Sequence, residues 1–248
     1  MNIVVFDTET TSLEKPFCYN IGYTIIDTDT REEILRHEYV VEQVWHNMSL
    51  FTTAYYAEKR PLYVTAMRSR KAVMDKYGYI CRAMCRDFKE NDVRFAYAYN
   101  SPFDEKVFNF NCDWYKVTNP FDTVPIIDIR GCVHTFIVND DYKRFCEEKG
   151  IFTESGNYST TAEAVYRYLV DDNFVEAHTA LADAIIEAEI LFACVDKGAE
   201  IGVEYPVQKS IWRNVQRTLE VKDKYGTLHI FDYTKKIVTK NGAKIYLH

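Results

Sequence analysis

Val4-Val5-Phe6-Asp7-Thr8-Glu9-Thr10-Thr11-Ser12-Leu13 decides how the chain is read: an apolar run with the character of a buried strand ends in two acids spaced two residues apart. In a strand, residues i and i+2 share a face, so Asp7 and Glu9 point the same way. Two carboxylates aimed together from a hydrophobic strand repel each other and lose solvation, a cost that a divalent cation offsets by taking both as oxygen ligands. The plainer alternative is a strand end carrying two ordinary surface acids. The choice between them rests on context.

Two further blocks supply it. Phe95-Ala96-Tyr97-Ala98-Tyr99 reads as a short strand and leads into Asn100-Ser101-Pro102-Phe103-Asp104. Ser101 has the character of an N-cap, Pro102 of a first helical residue, and Asp104 lies at capping-box distance. Asp104 thus has a structural reading, as acceptor for free helix N–H groups, beside a chemical one as a third acid. Farther on, His178-Thr179-Ala180-Leu181-Ala182-Asp183 opens a helical pattern in which Leu181, Ile185, Ala188, Phe192 and Val195 recur on one predicted buried face. Five residues are about 140° out of phase on a helix. His178 is therefore expected in the preceding loop, with Thr179 as cap and Asp183 on the first turn of a helix over about 180–196.

Asp7 with Glu9, then Asp104, then His178 followed by Asp183 resembles the DEDDh exonucleases of the DnaQ-like (RNase T-like) superfamily, with the blocks in that family's order over residues 4–193. The resemblance implies an α/β, ribonuclease H-like mixed sheet flanked by helices, and a 3′-to-5′ exonuclease that releases nucleoside 5′-monophosphates from single-stranded DNA ends. It implies two divalent cations, Mg2+ or Mn2+, with Asp7, Glu9 and Asp183 as direct ligands, Asp104 as a ligand partly through water, and His178 as the base. It further implies substrate contacts at Thr8, Thr10, Leu13, Asn100 and Phe103, Leu13 lying against the terminal base. Tyr99 stands where the family commonly carries histidine. An RNA-trimming exoribonuclease and a catalytically silent nucleic-acid-binding module stay open beside the DNA exonuclease. Expected partners are the 3′ ends of single strands and a separate polymerase or a replication or repair protein; a homodimer is open.

Composition sets bounds on this. With 248 residues, 47% of them hydrophobic and 15% aromatic, a sizeable core is expected. No apolar run reaches the ~18 to 20 residues of a membrane span and the N-terminus lacks a signal-peptide pattern, so the expectation is a soluble cytoplasmic protein. The seven cysteines, at 18, 81, 85, 112, 132, 146 and 194, are scattered without a C-x-x-C pair, which speaks against a disulfide framework. Cys81 and Cys85 lie four apart on a predicted helix, and without a second Cys/His pair they read as helix-packing residues rather than ligands.

The net charge of −7 argues superficially against a nucleic-acid partner, but it divides into −6 for residues 1–44, +5 for 45–90, −12 for 91–204 and +6 for 205–248. Acid concentrates in the segments that carry the motifs, and basic segments flank them, so the electrostatic footprint is local. Residues 45–90 interleave Trp45, Tyr55, Tyr56, Lys59, Arg60, Tyr63, Arg68, Arg70 and Tyr77, as a track for single strands requires; amphipathic helices with a buried aromatic stripe are the plainer reading for any one residue. The segment as a whole is taken as a helical, substrate-facing insertion.

The rest is scaffold. Ile3 to Phe6, Ile21 to Asp27 and Ile34 to Val44 read as an antiparallel meander, with Thr10 to Leu13 leaving the sheet as a loop. Val124 to Ile129 reads as a strand, and Thr160 to Glu163 as a capping box before a helix with Val165, Tyr168 and Leu169 on one face. Domains are expected at 1–200, the exonuclease unit, and 201–248, a small appendage. In it Ile211, Val215 and Leu219 suggest a helix, and residues 237–246 a hairpin turning at Asn241-Gly242. Lys235, Lys236, Lys240 and Lys244 could meet phosphates, though a solvated charged face explains them equally.

Overall fold

The protein is described from a computed structural model covering residues 1–208 and 210–213, together with the backbone of four strands within 218–246. The chain order is β1 (Asn2–Thr10), β2 (Cys18–Asp27), β3 (Glu33–Val41), α1 (Glu42–Trp45), α2 (Met48–Phe51), a 3-10 turn at Ala57–Lys59, α3 (Arg60–Arg68), β4 (Val73–Asp75), α4 (Tyr77–Glu90), β5 (Val93–Ala98), α5 (Pro102–Tyr115), β6 (Ile126–Asp128), α6 (Ile129–Phe136), α7 (Asp140–Lys149), α8 (Ala162–Leu169) and α9 (Ala180–Asp196). Six strands form one mixed sheet in the order β4-β3-β2-β1-β5-β6. The β1-β2-β3 meander is antiparallel, and β5 and β6 run parallel to β1.

Period-two alternation along β1 divides the core in two. Val4 and Phe6 face one layer, with Met84 and Phe88 of α4 and Phe108 of α5; Ile3 and Val5 face the other, with Val133 of α6, Val165 of α8 and Ile190 of α9. Continuing the alternation, Asp7 and Glu9 fall on the α9 side and Thr8 on the α5 side. β1 runs through Thr10, so both acids lie within the strand.

Several expectations are corrected. The third strand stops at Val41, and Val44 and Trp45 are buried from the helical turn α1 instead, since an apolar run alone does not separate a strand end from a buried turn. Segment 45–90 is an insertion only in part: Val73–Asp75 extends the sheet beside β3, and α4 packs its Ile80, Met84 and Phe88 into the core. Trp45, Phe51, Tyr63 and Tyr77 are buried, as the plainer reading held. Ser101 occupies the N-cap position of α5 in helical geometry and its side chain caps nothing. The cap of α8 is Thr161, whose oxygen accepts from Ala164 N, one residue later than the predicted box. In α9 the predicted stripe is wrong in detail: Leu181, Ile185 and Val195 are only partly buried, whereas Ala184, Glu187, Leu191 and Cys194 are covered. A helix apolar on most sides does not reveal which side meets the sheet.

Beyond residue 213, Thr218–Lys222 pairs antiparallel with Leu228–Asp232, and Ile237–Lys240 with Ala243–Tyr246. The second pair is the predicted hairpin; its turn, Asn241-Gly242, and Lys235 and Lys236 lie outside the described residues, as does Val215. The predicted helix gives way to a turn at Ile211 and a strand at Leu219, where the alternating Thr-Leu-Glu-Val-Lys pattern has the period of a strand. Among the described residues no helix is long and apolar enough to cross a membrane. Cys81 and Cys85 stay free on α4, and no metal-binding group among the described residues includes them.

Candidate active site

The acid-bearing side of β1 is covered by the first turn of α9, and two small features of β2 bring them together. Gly22 pairs with Asp7 across the sheet, and a Cβ there would lie 2.0 Å from Leu181 N, so only glycine admits the helix. Asn20, fully buried, accepts from Ala180 N through Oδ1 at 2.8 Å and donates to the Tyr39 carbonyl at 2.9 Å. It caps α9 from another strand. Thr179, the predicted cap, makes no side-chain cap bond.

The result is a group in which carboxylate oxygens of Asp7, Glu9 and Asp183 all lie within 4.8 Å of one another. Asp183 Oδ1 is buried with no hydrogen-bond partner among the described residues. Buried polar atoms are normally satisfied, and three convergent acids, one of them with an orphaned oxygen, are the donor set that a hard cation takes. Asp104 is not part of that group: its Oδ1 accepts from Thr8 Oγ1 at 2.6 Å, on the α5 side of β1. It does not cap α5. Its charge nevertheless bears on Asp7 more than that of any other acid.

Glu187, 4% exposed, was not anticipated. It lies one turn past Asp183 on the same face of α9, a spacing visible in the sequence, and its Oε2 accepts from Tyr99 N at 3.1 Å. Glu176 was also missed. Its Oε2 is 3.3 Å from His178 Nδ1, and Glu176, His178 and Asp183 form a second potential ligand group.

His178 sits in the loop before α9, as its spacing from Asp183 requires, with a left-handed backbone (φ 51°). Segment 48–68 holds that loop. Tyr56 stacks on the imidazole at 4.2 Å between ring centroids, Lys59 Nζ donates to the Ala177 carbonyl at 2.6 Å, and Tyr63 Oη donates to the His178 carbonyl at 3.4 Å.

Burial pushes Asp104 up to about 7 against the Thr8 hydrogen bond, Glu9 up to about 8, and Asp183 up to about 9 with added repulsion from Glu176 and Glu9. Asp7 and Glu187 are raised well above the carboxylate range, first by burial and then by Asp104. These folded values exceed those of an unfolded chain near 4, so the fold holds protons that the unfolded chain has released. Stability is then complete below about pH 4 and is lost as pH climbs through about 7 to 9. In EDTA the melting temperature is expected to fall between about pH 5 and 9. A divalent cation is expected to restore the loss at the alkaline end, because a cation bound to the folded state stabilises it. Calorimetry across that range tests this, and a flat profile contradicts it. Burial, then Lys59, lowers the His178 pKa.

Beside the acids opens a cavity of about 440 Å3 lined by Thr8, Glu9, Thr10, Leu13, Tyr55, Tyr56 and Phe103 among others. Leu13, 73% exposed, stands on its rim, and Lys106 Nζ holds the Leu13 carbonyl at 2.6 Å. Asn100 is not among these walls; with Tyr99 it lines a separate cavity.

No protein-family model and no curated protein matches the chain. Solved structures do. The nuclease domain of 3′hExo, a DEDDh family member, bound to rAMP, superposes with a TM-score of 0.58 at 16% identity, over 83% of this chain and 97% of that one. A 3′-exonuclease in specific recognition of a histone mRNA stem-loop 3′ end gives 0.57 at 14%, over 100% and 90%. E. coli Exonuclease I in complex with a dT13 oligonucleotide gives 0.51 at 14%, over 79% and 41%. With its six-stranded mixed sheet between helical layers, the chain has the ribonuclease H-like fold of the DEDDh-type 3′–5′ exonucleases.

Proposed function

We propose that this protein is a metal-dependent 3′-to-5′ exonuclease that removes nucleoside 5′-monophosphates from the ends of single-stranded nucleic acid, with DNA as the first substrate to test. The observation that carries the reading is the convergence of Asp7, Glu9 and the unpartnered Asp183 Oδ1 beside His178, at the mouth of a nucleoside-sized cavity. Asp7, Glu9 and Asp183 would hold divalent cations, magnesium or manganese, and Asp104 would act from beyond Thr8. Bound cations supply charge neutralisation and Lewis acidity toward the phosphodiester.

The chain's own groups do the rest. Thr8, Thr10, Leu13 and Phe103 enclose the terminal nucleoside, with the Leu13 side chain against its base. His178, kept neutral at pH 7 by its lowered pKa, takes the proton of the water that attacks the last phosphorus. The O3′ of the penultimate residue leaves, and a nucleoside 5′-monophosphate is released. Glu176 faces Nδ1 and Tyr56 covers the ring face, which together orient the other nitrogen toward the acids. We take residues 1–200 as the unit that carries this chemistry and 201–248 as an appendage, of which Ile201, Tyr205 and Trp212 pack against the core of that unit.

The test is release of mononucleotides from a 3′-labelled strand, on matched ribo- and deoxyribo-oligonucleotides, with magnesium, with manganese and in EDTA. His178→Ala is expected to lower the rate about 10²- to 10⁴-fold, the usual contribution of a positioned base. Full activity in excess EDTA rejects the proposal. Faster cleavage of RNA moves the substrate to RNA, and tight binding without turnover in manganese makes the chain a binding module.

A further inference from the structure

A second cavity, about 370 Å3, has Tyr99, Asn100, Arg130, His134, Thr160 and Trp212 in its wall. The Tyr99–Asn100 corner links it to the acids. Tyr99 N donates to Glu187 Oε2, within the field of the acid cluster, and Asn100, left-handed at φ 65°, donates its N–H to Asp128 Oδ1 at 2.8 Å. Asp128 also caps α6, accepting from Arg130 N at 2.9 Å, which fixes where the Arg130 side chain starts.

Several polar groups of this wall are already engaged. Tyr99 Oη donates to the Thr160 carbonyl at 2.6 Å. His134 Nδ1 accepts from Gln208 N at 3.2 Å, which leaves Nε2 to donate to Thr160 Oγ1 at 3.3 Å. The Arg130 guanidinium is less well held: Nε is buried without a partner, no hydrogen bond joins a guanidinium nitrogen to a described residue, and its ion pair with Asp128 is long, 3.8 Å from Nη2 to Oδ2. A guanidinium presents a planar fork of donors that matches a phosphate in bidentate fashion. An indole completes the wall: the Trp212 ring lies 5.1 Å from that of His134, and its carbonyl holds Tyr158 N at 2.9 Å. A fork without a hydrogen bond among the described residues, held only by a long ion pair, and an aromatic plane around one cavity are what a nucleotide recruits, phosphate to the cation and base to the ring.

We propose that this cavity is a second nucleotide subsite, with a phosphate on Arg130 and a base against Trp212. The nucleotide comes either from an upstream residue of the strand whose 3′ end lies in the cleft, a source that rests on the exonuclease reading, or from a free nucleoside monophosphate.

Binding in EDTA isolates this subsite from cation-dependent binding at the acids. Dissociation constants are measured for 5′-labelled oligothymidylates of two to six residues by anisotropy, and for free dTMP by calorimetry, across a salt series. Arg130→Gln is expected to weaken binding about 10-fold and to reduce the log-log salt slope by about 0.7, the loss of one phosphate contact on a single strand. Arg130→Lys restores the slope and only part of the affinity, because it keeps the charge without the fork. Trp212→Leu, which leaves the guanidinium in place, lowers the same affinities and serves if the Gln variant does not fold. An effect on the longer oligomers alone assigns the site to the strand; an equal effect on dTMP assigns it to the free nucleotide. Unchanged affinities and slopes for every ligand in the Arg130 and Trp212 variants overturn the proposal. Absence of hydrolysis with the Arg130 effect intact removes the exonuclease reading and leaves the subsite standing.

Discussion

Asp7→Asn is expected to abolish mononucleotide release in manganese and, at the same time, to raise the melting temperature of the metal-free protein at about pH 9. The two effects have one cause. Asp7 is raised well above the carboxylate range by burial and by the charges of Asp104, Glu187, Asp183 and Glu9. Deprotonating it places a further negative charge among groups that already repel. Asparagine keeps the shape and removes the charge, so the metal-free fold is relieved by roughly 1 kcal/mol or more, which corresponds to about 2–4 °C at this size. At about pH 5, where the cluster holds its protons in both proteins, the melting temperatures converge. The activity arm runs the opposite way. A carboxylate that holds a catalytic cation contributes several kcal/mol to the transition state, and each 1.36 kcal/mol is tenfold in rate, so a loss of about 10³-fold or more is expected. A more stable, inactive Asp7→Asn variant identifies a charge whose cost to the fold serves function. A variant with the parental rate in manganese overturns the cation role, and one that merely unfolds fails the melting arm.

How much of this was legible in the chain follows the range of each interaction. Asp7 and Glu9 share a face because β1 has period two, and His178 precedes Asp183 in a loop because helical period forbids otherwise; both facts are local and could be read. Asn20, Glu176 and the Tyr56 stack could not. Asn20 looks like an ordinary strand residue until β2 lies under the start of α9, where its side chain meets the Ala180 N–H. Tyr56 sits in a basic, aromatic stretch that suggested a nucleic-acid track. Phe51 and Tyr63 joined the core, Tyr63 touching the loop only through its hydroxyl, whereas the Tyr56 ring lies against the imidazole itself. Glu187 is an intermediate case: its four-residue spacing from Asp183 was in plain view, but an acid one turn away reads as an exposed helix charge until the helix is known to turn that face to the sheet. The same ignorance of facing misplaced the buried stripe of α9. Apolar residues around most of a helix fix its existence and length, and its rotation depends on how its first turn seats on Gly22 and Asn20.

Gly22→Ala tests that geometry without touching any acid. A methyl group on Gly22 would lie 2.0 Å from Leu181 N and 2.2 Å from Ala180 C, both backbone atoms of the first turn of α9. Backbone cannot swing aside as a side chain does, so the turn must lift from the sheet. Three things move with it: the Asn20 bond to Ala180 N, Asp183 two residues beyond Leu181, and the His178 loop just before. Overpacking of a close-packed site costs about 1–3 kcal/mol, and an orphaned Ala180 N–H adds about 1–3 kcal/mol, so the melting temperature is expected to drop by several degrees, at about 2–4 °C per kcal/mol. The effect on rate should be larger than the effect on stability, since a displacement of about 1 Å in reacting groups costs on the order of 10²-fold. Gly78→Ala is the matched control: its methyl would meet Val117 Cγ1 at 2.9 Å, the end of a side chain that can rotate, and only a small change in either measurement is expected. If Gly22→Ala melts and cleaves like the parent protein, α9 does not lie against β2 as described, and Asp183 loses its place beside Asp7.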